Sequence, residues 1–207
     1  MKLDLKPLPK SFFKRDTVKV AKALLGKIIK YKKTSGVIIE TEAYKGWKEG
    51  DEASHAFKRT KRSELMYNTY GKFYIYFIYG NHYCLNITTE KARPGAVLIR
   101  ALMPLEGIKI MARRRGMKIK KSLGNKCKKD KAIFHLTNFN LTNLTNGPGK
   151  LCQALNITRP LNNTNINHKI KVLKGIKIKN SQIFCSSRIG IRKAQHLKWR
   201  FFIKHAL

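Results

Sequence analysis

Carboxylates are scarce in this chain. Only 11 of its 207 residues are Asp or Glu, against 45 Lys and Arg, so the formal net charge is +34. After Asp130 no acidic residue occurs through to Leu207, while Lys and Arg continue. A surface of one sign over that length fits a polyanion such as nucleic acid better than a small substrate, although a bias toward Lys, Asn and Ile accounts for part of the charge. Cysteine is sparse too: Cys84, Cys127, Cys152 and Cys185 lie far apart with no Cys-x-x-Cys pair, which argues against a zinc knuckle or a disulfide framework. Long apolar runs are missing. No stretch approaches the ~18 residues of a membrane span, and charge interrupts every apolar segment of the first thirty residues, so neither a span nor a secretory signal is read. The expected location is cytoplasmic and nucleoid-associated in a bacterium, or nuclear in a eukaryote. Triplets such as Asn86-Ile-Thr88 then carry no glycosylation meaning. The P-loop pattern is absent, which speaks against ATP chemistry.

What is present is a 43% hydrophobic chain of a length that buries one core, so residues 1–207 are expected to form a single domain. Asp16 or Thr17 caps a first helix carrying Val18, Val20, Ala21, Leu24 and Leu25, stopped by Gly26. Strands are predicted over 37–44, 73–79, 82–89 and 96–102, with Gly80-Asn81 as a tight turn between the second and third. A helix is predicted over 104–115, a Lys-rich loop or disordered stretch from Met117, a helix launched by Asn146-Gly-Pro-Gly-Lys150, and an edge strand over 170–178.

Five of the carboxylates, Glu40, Glu42, Glu49, Asp51 and Glu52, fall within thirteen residues. Near phosphates each is repelled by roughly 332/(εr) kcal/mol, so the island is catalytic, a solvated loop, or an acidic helix start that suits the dipole. Extended backbone puts Glu40, Glu42 and Tyr44 on one face, a base beside a flat aromatic wall. Structural pairing with Arg100 is the rival, since a guanidinium inside an apolar strand needs a carboxylate, a phosphate or water. His55, close to Asp51, can stack, donate a hydrogen bond or cap the loop; metal ligation is disfavoured because neither His55 nor His82 has a partner at helical spacing. Tyr74 and Tyr76 share a strand face. Tyr79 stands at the turn, where a large ring on a basic surface has the shape to fill the gap left by an extruded nucleotide. Asn86 either reads a base edge or satisfies backbone. Gly147, Gly149 and Lys150 offer amides and a cation at a helix start, an arrangement that binds phosphate.

The segments ETEAY at 40–44, DEASHAF at 51–57, YIYFIYG at 74–80, YCLNI at 83–87, VLIRALMPLEG at 97–107 and NGPGKLCQAL at 146–155 together resemble the alkyladenine (3-methyladenine) DNA glycosylase family. The resemblance runs in order along nearly the whole chain. It implies an α+β fold, a single domain around a curved antiparallel sheet with flanking helices and a protruding β-hairpin that enters the minor groove. It also implies a monofunctional, monomeric hydrolase without metal or cofactor, which excises alkylated or deaminated purines from double-stranded DNA and leaves an abasic site for base excision repair. By resemblance Glu42 is the general base and Arg100 helps hold the water. Tyr44, His55 and Tyr76 enclose the flipped base, and Asn86 excludes normal guanine. Tyr79 intercalates, with Gly80 and Asn81 beside it at the tip. The chain departs from the family at Asn81, usually Met, and at Lys198, usually Pro. Rival readings are a non-enzymatic nucleic-acid binder, the C-terminal module of a formyltransferase acting on initiator tRNA, and a metal-dependent hydrolase.

Overall fold

The computed structural model describes residues 3–118 and 143–203. Within them nine strands form one open antiparallel sheet. The strands are β1 (Asp4–Pro7), β2 (Ile28–Tyr31), β3 (Thr34–Lys45), β4 (Phe73–Ile78), β5 (His82–Thr88), β6 (Gly95–Glu106), β7 (Ile170–Gly175), β8 (Ile183–Ser186) and β9 (Arg200–Ile203). Their order is β1-β7-β2-β3-β6-β5-β4, with β9 paired to β3 and β8 outside β9. Among the described residues four α-helices flank the sheet: α1 (Thr17–Leu24), α2 (Glu64–Asn68), α3 (Ile108–Arg114) and α4 (Pro148–Leu155). The fold is α+β, as expected.

Helix α1 forms where the sequence places it. The Asp16 carboxylate accepts from the Lys19 amide as N-cap, and Val20, Ala21 and Leu24 turn one apolar face to the sheet. Thr41 of β3 donates its hydroxyl to the Ala21 carbonyl, so helix and strand share a hydrogen bond as well as apolar contact. Helix α4 buries Leu151, Cys152, Ala154 and Leu155 in the same core.

The long pair β3–β6 is the spine, and it is not regular. Ile38 faces Leu102, Glu40 faces Ala101, and Thr41 faces Ile99. The count leaves Ile39 as an extra residue on β3 and Arg100 as an extra residue on β6, two compensating bulges. On its other edge β3 changes partner at the same place: Thr34 to Val37 pair with β2, whereas Glu40 to Glu42 pair with β9. Bulges sharpen twist, and here they let one strand serve two neighbours in turn.

Three expectations are corrected. Pro104 to Glu106 continue β6, and α3 begins only at Ile108 after Gly107 in the left-handed region; a third irregularity near Leu105 accommodates the proline beside the ladder. Strand β7 is no edge, since β1 and β2 flank it. Its lysines, Lys171 and Lys174, are exposed on either side of the buried pair Val172 and Leu173, so they mark exposed positions of a flanked strand rather than an open rim. The hairpin turn is centred on Tyr79-Gly80, with the Asn81 amide donating to the Ile78 carbonyl, one residue earlier than read from Gly80-Asn81. The Lys-rich stretch after Lys118, with Cys127, lies outside the described residues.

A Cβ at Gly95, where β6 begins, would fall 2.2 Å from the Thr17 hydroxyl and 2.8 Å from that of Thr89, which hydrogen-bond each other at 2.8 Å. Gly95→Ala is therefore expected to lower unfolding free energy by ~1–3 kcal/mol through overpacking, read by urea denaturation.

Candidate active site

Two neighbouring rungs of the sheet make the floor of the site. Glu42 on β3 lies opposite Leu98 on β6, Leu98 opposite Asn86 on β5, and Asn86 opposite Tyr74 on β4. Two residues along each strand on the same face come Arg100, Cys84 and Tyr76. A cavity of about 370 Å³ opens over this floor, at the small end of the ~300–1,000 Å³ usual for ligand sites. Its lining includes Tyr44, His55, Tyr74, Tyr76, Asn86 and Arg100. Five chain segments thus bring together residues spread over 57 positions, from Tyr44 to Arg100.

Glu42 lies immediately behind this wall and is fully buried. One carboxylate oxygen accepts from the Tyr44 hydroxyl at 2.8 Å; the other accepts from the Ile189 amide at 2.8 Å and stands 3.5 Å from Arg100 Nε. All three partners line the cavity. Burial raises the Glu42 pKa above the usual carboxylate range, with Arg100, the Ile189 amide and Tyr44 pulling the other way and the Glu40 charge adding to the rise. The group is neither exposed nor committed to a tight ion pair. The other four acids of the island are committed: Glu40 to Arg100 and Arg200, Glu49 to Arg93 and Lys45, Asp51 to Arg188, and Glu52 to Lys193. So the island is mostly structural, and Glu42 is its one member whose shortest contacts are to neutral donors.

The aromatic walls are locked together. Tyr74 and Tyr76 rings are 5.2 Å apart, and His55 meets Tyr76 edge-on at 4.6 Å. His55 Nδ1 shares a hydrogen bond with the Tyr74 hydroxyl at 2.9 Å, whereas Asp51, its neighbour in sequence, turns away into the protein. Ser54, not His55, caps the short turn His55–Phe57 by accepting from the Ala56 amide. Burial, then the Arg62 charge, pulls the His55 pKa down to about 4, so the ring is neutral at physiological pH. The Arg62 guanidinium lies 4.8 Å from the centre of the Tyr76 ring. Asn86 is buried and donates to the Tyr74 carbonyl at 3.1 Å, which ties β5 to β4 beneath the cavity. Among the described residues no group of three or more His, Cys, Asp or Glu side chains is arranged to hold a metal ion.

A segment with no role assigned from the sequence closes the site. Arg188 is fully buried, donates to both Asp51 oxygens at 2.6 and 2.8 Å and to the Ala43 carbonyl at 3.0 Å, and lies 4.5 Å from the Tyr44 ring centre. That anchor places the next residue, Ile189, with its amide on Glu42 and its side chain at the cavity. A buried Asp51 requires a cation, but nothing in the sequence says which of 45 it takes.

At the cavity rim Tyr79 is 83% exposed and held at φ +51°, followed by Gly80 at +69°. For a tyrosine the left-handed region costs ~1–2 kcal/mol, so the ring is presented against the backbone's preference. Asn81 follows, exposed, at the tip. The α4 start packs behind the hairpin: a Cβ at Gly149 would meet the His82 ring at 2.8 Å, and Pro148 reaches the cavity. Lys150 does not stand free there, since its ammonium bonds the Asn146 side chain at 2.8 Å. Gly147 accepts through its carbonyl from the Leu151 amide, within the helix start itself.

An aromatic cavity beside a buried carboxylate, with an exposed tyrosine at its rim, is a site with room for a planar ring. Comparison with known proteins gives the class. Residues 11–206 match the family model described as methylpurine-DNA glycosylase (MPG). Three curated relatives provisionally named 3-methyladenine DNA glycosylase come from Clostridium acetobutylicum, Clostridium perfringens strain 13 and Bacillus cereus strain Q1. The chain is 40% identical to the first, over 95% of its own length and 94% of the relative's. The corresponding figures are 43%, 95% and 95% for the second, and 40%, 94% and 94% for the third. The chain belongs to the methylpurine-DNA glycosylase family. It is thus a hydrolase of N-glycosyl bonds, a DNA repair enzyme for alkylated purines.

Asp51→Asn should leave Arg188 as an uncompensated buried charge and cost ~3–5 kcal/mol, measured by chemical denaturation. Exposed Glu52→Gln, which loses only a surface pair to Lys193, should cost less than ~1 kcal/mol.

Proposed function

We propose that the protein acts as a monomer on duplex DNA, turns a damaged purine out of the helix into the aromatic cavity, and hydrolyses its bond to the sugar with water activated by Glu42. The observation that carries this reading is the state of Glu42: a buried carboxylate of raised basicity, outside any close ion pair, whose three partners all face a base-sized cavity. The basic surface provides loose, salt-sensitive hold on the backbone. Tyr79 enters the stack and takes the place of the extruded nucleotide. A lesion that pairs and stacks poorly leaves the helix at lower cost, which is a first source of selectivity. Stacking on Tyr44, Tyr76 and His55 returns ~1–3 kcal/mol per base, enough to offset much of the few kcal/mol spent on unstacking.

In the chemical step the bond from C1′ to the base nitrogen breaks with its electron pair going to the base, and cationic character grows on the sugar. Water adds its oxygen to C1′ and gives a proton to Glu42. The Glu42 anion also stabilises the cationic sugar, by ~4 kcal/mol at 4 Å for an effective dielectric constant near 20. Since Glu42 is shut off from solvent in the free protein, the water needs room that the Tyr44 hydroxyl or the Ile189 segment now fills, and DNA binding must shift one of them. Arg100 orients the carboxylate and the sugar-phosphate. Bases alkylated to cations leave most readily. Deaminated and etheno purines, hypoxanthine among them, are the second substrate group that this cavity is proposed to accept.

Glu42→Gln keeps the shape and removes the base. Single-turnover release of 3-methyladenine or hypoxanthine from duplex DNA should fall by ~10²–10⁴, and near-wild-type release would refute the assignment. Tyr79→Ser should weaken binding to lesion duplex more than to undamaged duplex in anisotropy titrations. Equal losses on both would remove the wedge.

A further inference from the structure

Glu40 and Arg200 do not line the cavity, yet both are tied to its chemistry. One Glu40 oxygen accepts from Arg100 Nε at 3.0 Å and from Arg200 Nε as well. Arg200 also donates to the Ser186 hydroxyl at 3.1 Å and lies 4.6 Å from the Phe202 ring centre, so it is held on β9 from two further sides. Arg100 is therefore shared between two carboxylates, nearer to Glu40 at 3.0 Å than to Glu42 at 3.5 Å. The Arg100 bulge on β6 and the β3 bulge beside Glu40 set this unequal sharing. Buried ion pairs are weak contributors to stability, so an arrangement of two acids and two arginines under an active site calls for another explanation.

Resting on the reading of Glu42 as base, we infer that Glu40 and Arg200 are a positioning pair that draws Arg100 off Glu42. They prevent a close two-point ion pair that would make Glu42 too weak a base to take a proton from water. Arg200 balances Glu40, so that the second acid does its holding without forcing Glu42 to stay protonated. The charged and titratable groups around Glu42 are Glu40 and Tyr44 on its own strand, Arg100 from β6, and Arg200 opposite it on β9. Cys84 on β5 and Arg188, stacked on Tyr44, complete the set. None but Glu40 and Arg200 is altered in the test.

The sign differs between the two halves of the pair. Glu40→Gln removes a negative neighbour and frees Arg100 to close on Glu42, which favours the anion. The acidic limb of the pH–rate profile for base release should then move down by ~1 pH unit, with a lower plateau rate. Arg200→Gln leaves the Glu40 charge unbalanced and pulls Arg100 further toward it, so the limb should move up. Arg200→Lys should bring it most of the way back. The Glu42 carboxyl titration, followed by carbon-13 NMR of glutamate-labelled protein and assigned by its loss in Glu42→Gln, should move in the same two directions. Because Arg200 is the more exposed partner, its variants test the inference even where Glu40→Gln does not fold. Rates that fall with neither limb nor carboxyl titration displaced would make the pair merely structural and overturn the inference. A displaced carboxyl titration with an unmoved rate profile would uphold the pair and refute Glu42 as base.

Discussion

A carboxylate withdrawn from water in a protein of +34 net charge is the constraint around which this site is arranged. Burial alone drives Glu42 toward its neutral form, and a full ion pair drives it toward an inert anion. Neither state suits the base proposed above. The arrangement found lies between them: a tyrosine hydroxyl and a backbone amide at 2.8 Å, with a guanidinium at 3.5 Å that a second acid also binds. Much of the surrounding architecture maintains that balance. The Asp51–Arg188 pair secures the amide of Ile189, the bulge at Arg100 sets the guanidinium, and the rung from Glu42 to Tyr74 fixes the cavity floor.

The exposed tip is kept separate from this frame. Tyr79 sits at a hairpin tip in a conformation that disfavours its own side chain, whereas the strands beneath it are paired along their whole length. The strain is small against the stability of a domain, about 5–15 kcal/mol, and it is local. An asparagine would fit that turn better and would bring no ring. The residue at the tip is thus one the local backbone disfavours, which is consistent with the wedge role proposed for it.

Elements marked by local chemistry were legible in the sequence. The α1 cap at Asp16, the strand at Phe73–Ile78, the launch of α4 at Pro148 and the shared face of Tyr74 and Tyr76 each follow from residues within a few positions of one another. The errors fall where distant partners overrule local signals. Pro104 reads as a helix start but extends a strand, because a nearby bulge removes the need for its amide. The lysine alternation of β7 reads as an edge but is flanked on both sides, since β1 is too short and too polar to announce itself.

The sequence by itself determined the class of partner, the aromatic hairpin and the presence of a candidate acid, since charge, ring size and strand periodicity are local properties. Its family resemblance assigned roles to Glu42, Tyr44 and Tyr79. Only the tertiary structure decided which of five clustered carboxylates is free of a close ion pair. That depends on Arg100, Arg188 and Arg200, which lie 60 to 160 residues from the acids they bind, and on two strand bulges that no periodicity reveals. Pairing energy falls with distance in space, and distance in space is set by the fold.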